Sequence, residues 1–372
     1  MKKYKLIEKE LETQILNNDF VTTGKLPTEA QLISRFSVSR QTVRRALSEL
    51  ELRGLIYKVQ GGGTFVQNPE NRQTAENSDS LFNKPMVAVM TAHISNYIFP
   101  PIISGIENVL NQNNVQLILS STQDDSVIER KNLIQLLNDS SITGLIVEPT
   151  KSAFPSKNTD MYAALLRKGV KIVSIHSSLN TFQIPSFVMD DFSGGGQQAQ
   201  SLLNNGHRNI LGIFKTDDQQ GQLRMAGAYS AIDQVDEHVD FRVLTFQSGH
   251  TEEEIGNYVK AIFTNDHDQR PTAIICYNDL CAISVIRALH ELSIEIPNDV
   301  SIVSYDNSSL AHGLGLNLTG INHPKEKMGM DAASFLLKEL SLKQPTEKKV
   351  QKKYPATLVM GNSIAPVTQN QH

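Results

Sequence analysis

The chain has 372 residues, 40% of them apolar and 20% charged, with a net charge of −4 at pH 7; this fits a soluble globular protein of two or three compact units. No window approaches ~18 consecutive apolar residues, which excludes a transmembrane helix. The opening MKKYKLIEKELETQIL lacks the apolar core of a secretory signal, so a cytoplasmic location without a membrane partner is expected. The charge is uneven. Residues 1–68 carry 11 Lys and Arg against 7 Asp and Glu, and the remainder carries 24 against 32. A small basic head on an acidic body suggests that the head alone meets a polyanion.

Residues 4–17 read as a helix, with Tyr4, Ile7, Leu11 and Ile15 on one face. In LPTEAQLISRF, Thr28 and Gln31 have capping-box spacing, and Leu32, Ile33 and Phe36 supply an apolar side. After the polar break SVSR, Ser39 is the expected N-cap of a third helix. There Val43, Ala46, Leu47 and Leu50 follow helical spacing, while Gln41, Arg44, Arg45 and Ser48 point the other way. Arg40 lies in the first turn, where it can project past the helix end, and Arg53, beside Gly54, reads as a partner of the helix dipole. RGLIYKVQGGGTFVQ then reads as strand, glycine tip, strand. Three helices and a hairpin in this order make an α+β winged helix-turn-helix.

That arrangement points to insertion of the third helix into the major groove of double-stranded DNA. Arg40 and Arg45 are the expected readers of base edges. Gln41, Thr42, Arg44 and Lys58 are expected to position phosphates, with the caps Thr28 and Ser39 and the tip glycines Gly61, Gly62 and Gly63 close to the backbone. A P-loop would need a helix and a Lys-Ser/Thr pair straight after the glycines, and here Thr64-Phe65-Val66 follow.

Residues 69–84 are polar and nearly free of apolar residues, the composition of a linker between a head at 1–68 and a body at 85–372. From Met86 short β-rich runs (MVAVMTA, VQLILSS, TGLIVEP, VKIVSIH, SFVMDD, NILGIFK, DFRVLTF, TAIICYN, SIVSYDN) alternate with helical segments. That is the signature of parallel sheets in βαβ units, here an α/β body of two lobes. Ligands in such sheets bind at the carboxyl ends of strands, which brings forward Glu148, His176, Asp190, Lys215, Asn278 and Asp306. Glu148, Lys215, Arg224, Asn278 and Asp306 have the donors and acceptors that grip several hydroxyls at once, with Tyr97 or Phe99 as an apolar wall. His93, His176 and His323 also lie near strand ends.

The glycines of FSGGGQQAQSLL are read as a turn connecting the lobes, and Cys276 and Cys281 as packed free thiols of a reducing compartment. Catalysis finds little support: HExxH, CxxC and GxSxG are absent, and adjacent acids such as those of MDD point to opposite faces of a strand. No enzyme, metal or cofactor is therefore expected.

LPTE, VSRQTVRRAL, GL and GGGTFV together resemble the GntR-type winged-helix head over residues 4–67. GIENVL, TGLIVEP, NNGHRNILGIF, RMAGAYSAI, YNDLCAISVIRAL, IPNDVSIVSYDN and LTGINHP make residues 86–365 similar to the effector domain of lactose/galactose-type repressors, itself like periplasmic sugar-binding proteins. The pairing is uncommon and resembles the arabinose-responsive repressors of Gram-positive bacteria. The resemblance implies a homodimeric repressor released from operator DNA by a small sugar, most simply L-arabinose. It places sugar recognition on Glu148, His176, Ser177, Arg224, Asn278, Asp279 and Asp306, and Tyr97, Lys151, Lys215 and His323 complete the expected ligand-binding set. SYDN departs from the usual GYDD at Asn307, and the lactose-type hinge helix is absent. Two rivals stay open: a binding protein or enzyme built on the same body, and a different effector such as another pentose, a hexose or a purine.

Overall fold

The computed structural model describes residues 3–17, 19–20, 24–59, 63–66, 85–179, 181–265, 269–310, 316–342 and 350–367. The linker expected at 69–84 and the glycines Gly61 and Gly62 lie outside them. The chain divides into two compact units, Met1–Lys84 and Pro85–His372.

The first unit packs α1 (Lys3–Leu16), α2 (Glu29–Phe36) and α3 (Arg40–Leu52) around the side chains that share helical spacing. Ile7, Leu11, Ile15, Leu32, Val43, Ala46, Leu47 and Leu50 are buried together. Thr28 closes the expected capping box: its Oγ accepts from the Gln31 N–H at 3.3 Å, and its own N–H donates to Gln31 Oε1 at 2.8 Å. Ser39 caps α3 by accepting from the Thr42 N–H. The expected hairpin forms from β1 (Ile56–Val59) and β2 (Gly63–Val66), paired antiparallel. Arg53 is not merely a dipole partner. It reaches back from the end of α3 to Glu8 and Glu12 of α1 and braces one helix against the other.

In the second unit every expected β-run becomes a strand: β3 (Met86–Thr91), β4 (Gln116–Ser121), β5 (Ile142–Val147), β6 (Lys171–Ile175), β7 (Ser186–Met189), β8 (Asn209–Lys215), β9 (Asp240–Phe246), β10 (Ala273–Cys276) and β11 (Ser301–Asp306). Three shorter strands complete the sheets: β12 (Thr319–Asn322), β13 (Gln351–Tyr354) and β14 (Leu358–Val359). Among the described residues there are two six-stranded sheets, ordered β13-β7-β6-β5-β3-β4 in the N-lobe and β14-β12-β11-β10-β8-β9 in the C-lobe. All pairings are parallel except that of β14. The chain crosses between the lobes after β7, after β12 and between β13 and β14.

The period-2 alternation of each strand feeds two cores. In β3, Val87 and Val89 face the helices α4 (Phe99–Gln112) and α11 (Lys325–Ser341). Ala88 and Met90 face the opposite core, with Leu133, Leu136, Tyr162 and Leu165 of α5 (Ser126–Asn138) and α6 (Thr159–Arg167). The C-lobe repeats the scheme. Leu211 and Ile213 face α9 (Glu252–Asn265) and α10 (Asp279–Glu291), and Ile210 and Phe214 face α7 (Asp191–Leu203) and α8 (Gln219–Asp233). Cys276 and Cys281 are buried free thiols. No helix among the described residues is long and apolar enough to cross a membrane.

The glycines of FSGGGQQAQSLL do not form a turn. They lie inside α7, whose first residue follows β7 almost directly. A Cβ on Gly195 would stand 1.9 Å from the carbonyl oxygen of Arg224, and one on Gly227 1.9 Å from that of Phe192. The glycines therefore let α7 and α8 touch backbone to backbone. Gly195→Ala must push α8 away and should cost about 1–3 kcal/mol, the range for overpacking a tight interface. Chemical denaturation should show it as a lower unfolding midpoint.

Candidate functional site

The carboxyl ends of both sheets face a cavity of about 350 Å³ between the lobes of the second unit, a size that suits a small molecule. Of the residues expected at a ligand site, Tyr97, Glu148, His176, Lys215, Arg224, Asn278, Asp306 and His323 all line it. Lys151 does not: it stands on left-handed backbone, and its N–H donates to Asp124 Oδ1 at 3.1 Å. Asp190 is also turned away, capping α7 and facing Lys353. Its neighbour Asp191 enters the site instead, because the chain leaves β7 and winds into a helix at that point. Phe99 supplies an apolar wall.

On the C-lobe side Arg224 and Asp191 form a buried ion pair, Nε to Oδ1 at 2.8 Å. Arg224 Nη1 also donates to the Tyr277 carbonyl at 2.8 Å, and the guanidinium lies 3.5 Å from the centroid of the Tyr305 ring. Burial lifts the Asp191 carboxyl above its ordinary range, and Arg224 offsets this only in part. Burial works against the charge on Arg224, but Asp191 outweighs it and keeps the guanidinium protonated.

Asp306 accepts from the Tyr97 hydroxyl through Oδ2, while its Oδ1 is buried without a partner. The backbone here is strained toward the site: Tyr97, Gln123, Asp124, His176 and Asp306 line the cavity on positive φ, a conformation costly for residues with a Cβ. The next acid, Asp279, is held by Ser304 and Ser308 and faces inward to the fold. Burial, with Asp306 nearby, raises it to about 6. Asn278 spends its Oδ1 capping α10 at Cys281.

On the N-lobe side Glu148 accepts from His176 Nδ1 at 2.8 Å and from the Ala92 N–H at 2.8 Å. Burial opposes protonation of His176, yet the Glu148 carboxylate prevails and moves it upward. Its ring meets that of His323 edge to face, centroids 5.3 Å apart. His176 Nε2 and both ring nitrogens of His323 are buried with no partner. Lys215 Nζ reaches Asp124 at 2.8 Å and Asp218 at 3.4 Å; burial would lower it, but these carboxylates raise it. Asp124, Asp191 and Asp218 were not singled out from the sequence, since each follows its strand in a loop or opens a helix. Among the described residues no cluster of His, Cys, Asp or Glu could hold a metal ion.

The first unit presents α3 with Arg40, Gln41, Arg44, Arg45 and Ser48 exposed. Arg40 and Arg44 both bond Glu29 of α2 at 3.2 Å, which fixes their direction. Slight burial opposes ionisation of Glu29, but the two arginines hold its carboxyl below the usual range. Arg45 is less free than a bare helix wheel implies, for its guanidinium lies 4.4 Å from the centroid of the Tyr4 ring. Thr42 shares a hydrogen bond with the cap Ser39, and Lys58 pairs with Glu51 at 2.5 Å. Thr28 is exposed at the start of α2, and Gly63 opens β2 on left-handed backbone.

Comparison with known proteins matches both units. Residues 3–66 match the bacterial regulatory proteins of the gntR family, and residues 199–364 match the periplasmic binding protein-like domain. The chain is 35% identical over 338 residues to the arabinose metabolism transcriptional repressor of Geobacillus stearothermophilus, covering 90% of each chain. It is 34% identical over 340 residues to the protein of that name from Halalkalibacterium halodurans, covering 90% of this chain and 88% of the relative. Among solved structures, a LacI family transcriptional regulator from Enterococcus faecium with bound ribose shares the fold, with a TM-score of 0.65 at 24% identity, over 76% of this chain and 100% of that one.

His323 makes the body sensitive to acid. Burial, with His176 and Lys325 close by, drives His323 well below its ordinary range. Its contribution to stability is therefore present at neutral pH and lost as pH falls below about 6.5, where the unfolded chain takes up a proton that the folded chain refuses. His176 acts in the opposite sense, stabilising at low pH and losing this as pH rises through its raised pKa. Denaturation midpoints of His323→Gln should accordingly fall less than those of the parent between about pH 7 and pH 5.

Proposed function

The chain belongs to the family of arabinose metabolism transcriptional repressors, and on that premise we propose that its effector is L-arabinose, bound between the lobes, and that the sugar releases a homodimer from operator DNA. The observation that carries the effector reading is the set of buried polar atoms turned to one cavity without protein partners: His176 Nε2, both His323 nitrogens and Asp306 Oδ1. Each needs a donor or acceptor to offset its desolvation, and a sugar's hydroxyls are both.

The charges argue for a neutral ligand. Lys215 is committed to Asp124 and Asp218, and Arg224 to Asp191. An anionic ligand such as a sugar phosphate would have to break those pairs and face Glu148 and Asp306. Another neutral pentose or a hexose is the second reading, and the same wall of acceptors would suit it. No separate cofactor enters this scheme, which is a binding switch rather than catalysis.

In the head, Arg40 and Arg45 would read base edges and Arg44, Gln41, Thr42 and Lys58 would hold phosphates. A single head covers one half-site, and selectivity against a genome requires two at fixed spacing; this supports a dimer acting on DNA in the cytoplasm. A thermal-shift panel of pentoses and hexoses, then a gel shift with and without the hit, tests the whole scheme. L-arabinose should stabilise the protein and dissolve the DNA complex.

The two functions should also separate by mutation. Arg40→Ala or Arg45→Ala should each weaken specific DNA binding by about 1–3 kcal/mol and leave calorimetric sugar binding intact. Arg224→Ala or Asp306→Ala should bind operator normally and fail to respond to sugar. Unchanged operator affinity in the first pair, or normal sugar binding in the second, would refute the corresponding assignment. Operator affinity of the parent should also fall steeply with salt.

A further inference from the structure

Beyond the cavity, the two lobes of the body also touch along one margin, where Gln219 of the C-lobe meets the loops that follow β5 and β6. It opens α8 in the C-lobe, directly after β8, and it does not line the cavity. Its backbone N–H donates to Ser152 Oγ at 3.0 Å, and its Nε2 donates to the carbonyls of Ser152 at 2.9 Å and Ser178 at 3.0 Å. Its Oε1 accepts from the Ser178 N–H at 3.1 Å. Ser152 and Ser178 follow β5 and β6 of the N-lobe, and both are buried. Two residues before Gln219 the same margin is zipped again, the Ala153 N–H donating to the Asp217 carbonyl at 3.3 Å.

The receiving loop is itself fixed from behind. Glu129 of α5, buried, accepts from the Thr150 N–H and hydroxyl, from Asn158 Nδ2 at 2.6 Å and from the Tyr162 hydroxyl at 2.7 Å. This pins the segment that carries Ser152, so the acceptors for Gln219 are set before the lobes meet. A glutamine amide with its donor and acceptor both used across a lobe boundary has one configuration in which it is satisfied, and that configuration exists only when the lobes are together.

We propose that Gln219 is a latch between the lobes, a positioning residue that touches no sugar yet sets how long the sugar is held and hence how readily the repressor is released. This rests on the reading of the cavity as the effector site. Closing the lobes around a ligand gains the ligand's contacts and the latch together. Removing the latch lowers the stability of the liganded form while the ligand's own contacts stay intact, so it acts on escape rather than on entry.

The experiment uses the full chain. Gln219→Ala should weaken L-arabinose binding about tenfold, the loss of one or two net hydrogen bonds. Stopped-flow should place the change in the off-rate, with the on-rate within about twofold of the parent. Operator affinity without sugar should not weaken, since losing the latch can only favour the open, DNA-binding form. Gln219→Glu keeps the size and the acceptor for Ser178 but loses the amide donors, and should behave in the same direction. Spin labels at T181C and Q222C, on the two sides of the margin, should report a longer or broader distance in the Gln219→Ala background. Parental sugar affinity and off-rate in both variants would overturn the latch, and so would a lower melting temperature with no change in off-rate. If the parent binds no pentose, the effector reading falls by itself. The label distance then decides the latch, a wider separation supporting it and an unchanged one ending it.

Discussion

A guanidinium buried between two tyrosine rings is held in place by a carboxylate on a different helix, and much of the body's architecture serves that contact. Arg224 and Asp191 meet at 2.8 Å with almost no access to solvent. Such a pair is costly unless its remaining hydrogen-bonding capacity is met. The Tyr277 carbonyl and the Tyr305 ring meet part of it. The pair also requires α7 and α8 to approach more closely than side chains allow, which is why Gly195 and Gly227 stand opposite backbone carbonyls. Asp191 is the first residue of α7, where the chain leaves the N-lobe sheet and enters the C-lobe. The ion pair thus joins a crossing between lobes to the floor of the cavity, and a change in one is felt in the other.

The same logic explains the balance of charge in the cleft. Its cations are compensated from within the protein, while Asp306 and the His176–His323 pair keep polar atoms uncommitted. Selectivity for a hydroxyl-rich neutral molecule follows from this division. A hydroxyl can donate to Asp306 and accept from a histidine without disturbing an ion pair, whereas an anion must first displace one. The opposed titration of the two histidines adds a constraint. Against its burial, Glu148 moves His176 toward the protonated form, whereas burial, with His176 and Lys325 close by, moves His323 away from it. The two rings therefore respond to pH in opposite senses.

Much of the fold was legible because two periodicities were clean. Helical spacing of Ile7, Leu11 and Ile15, and of Val43, Leu47 and Leu50, gave the head its core, and Thr28 and Ser39 gave the helix starts. Alternation of β-rich runs with helical segments gave nine strands of the body. The misses share a cause. FSGGG looked like a turn because glycine is usually a breaker, yet here it serves helix–helix contact, which depends on a partner far along the chain. Asp190 was chosen over Asp191 because strand parity cannot be continued past the last strand residue. Lys151 was expected at the ligand site, but it stands on left-handed backbone and its N–H is the group facing Asp124. Arg53 was read from its own helix end, and its partners Glu8 and Glu12 lie a whole domain core away in sequence. Asp124, Asp218 and Gln219 sit in loops or at helix starts, where no period marks a residue as facing a site.

A body built this way also limits how a repressor can be switched. A ligand shifts an equilibrium only by its differential affinity for the two states, and moving a population from about 1:99 to 99:1 takes about 5.5 kcal/mol of such difference. A pentose has few atoms with which to supply it. Contacts between the lobes, such as those of Gln219 and the Lys215–Asp124 pair, stabilise the closed form without adding contacts to the sugar. They favour closure with or without the sugar, so they set where the equilibrium lies and leave its displacement to the ligand. A small neutral molecule can therefore tip such a body only if these contacts hold its two forms near balance, so that the modest energy of a few hydroxyls decides between them.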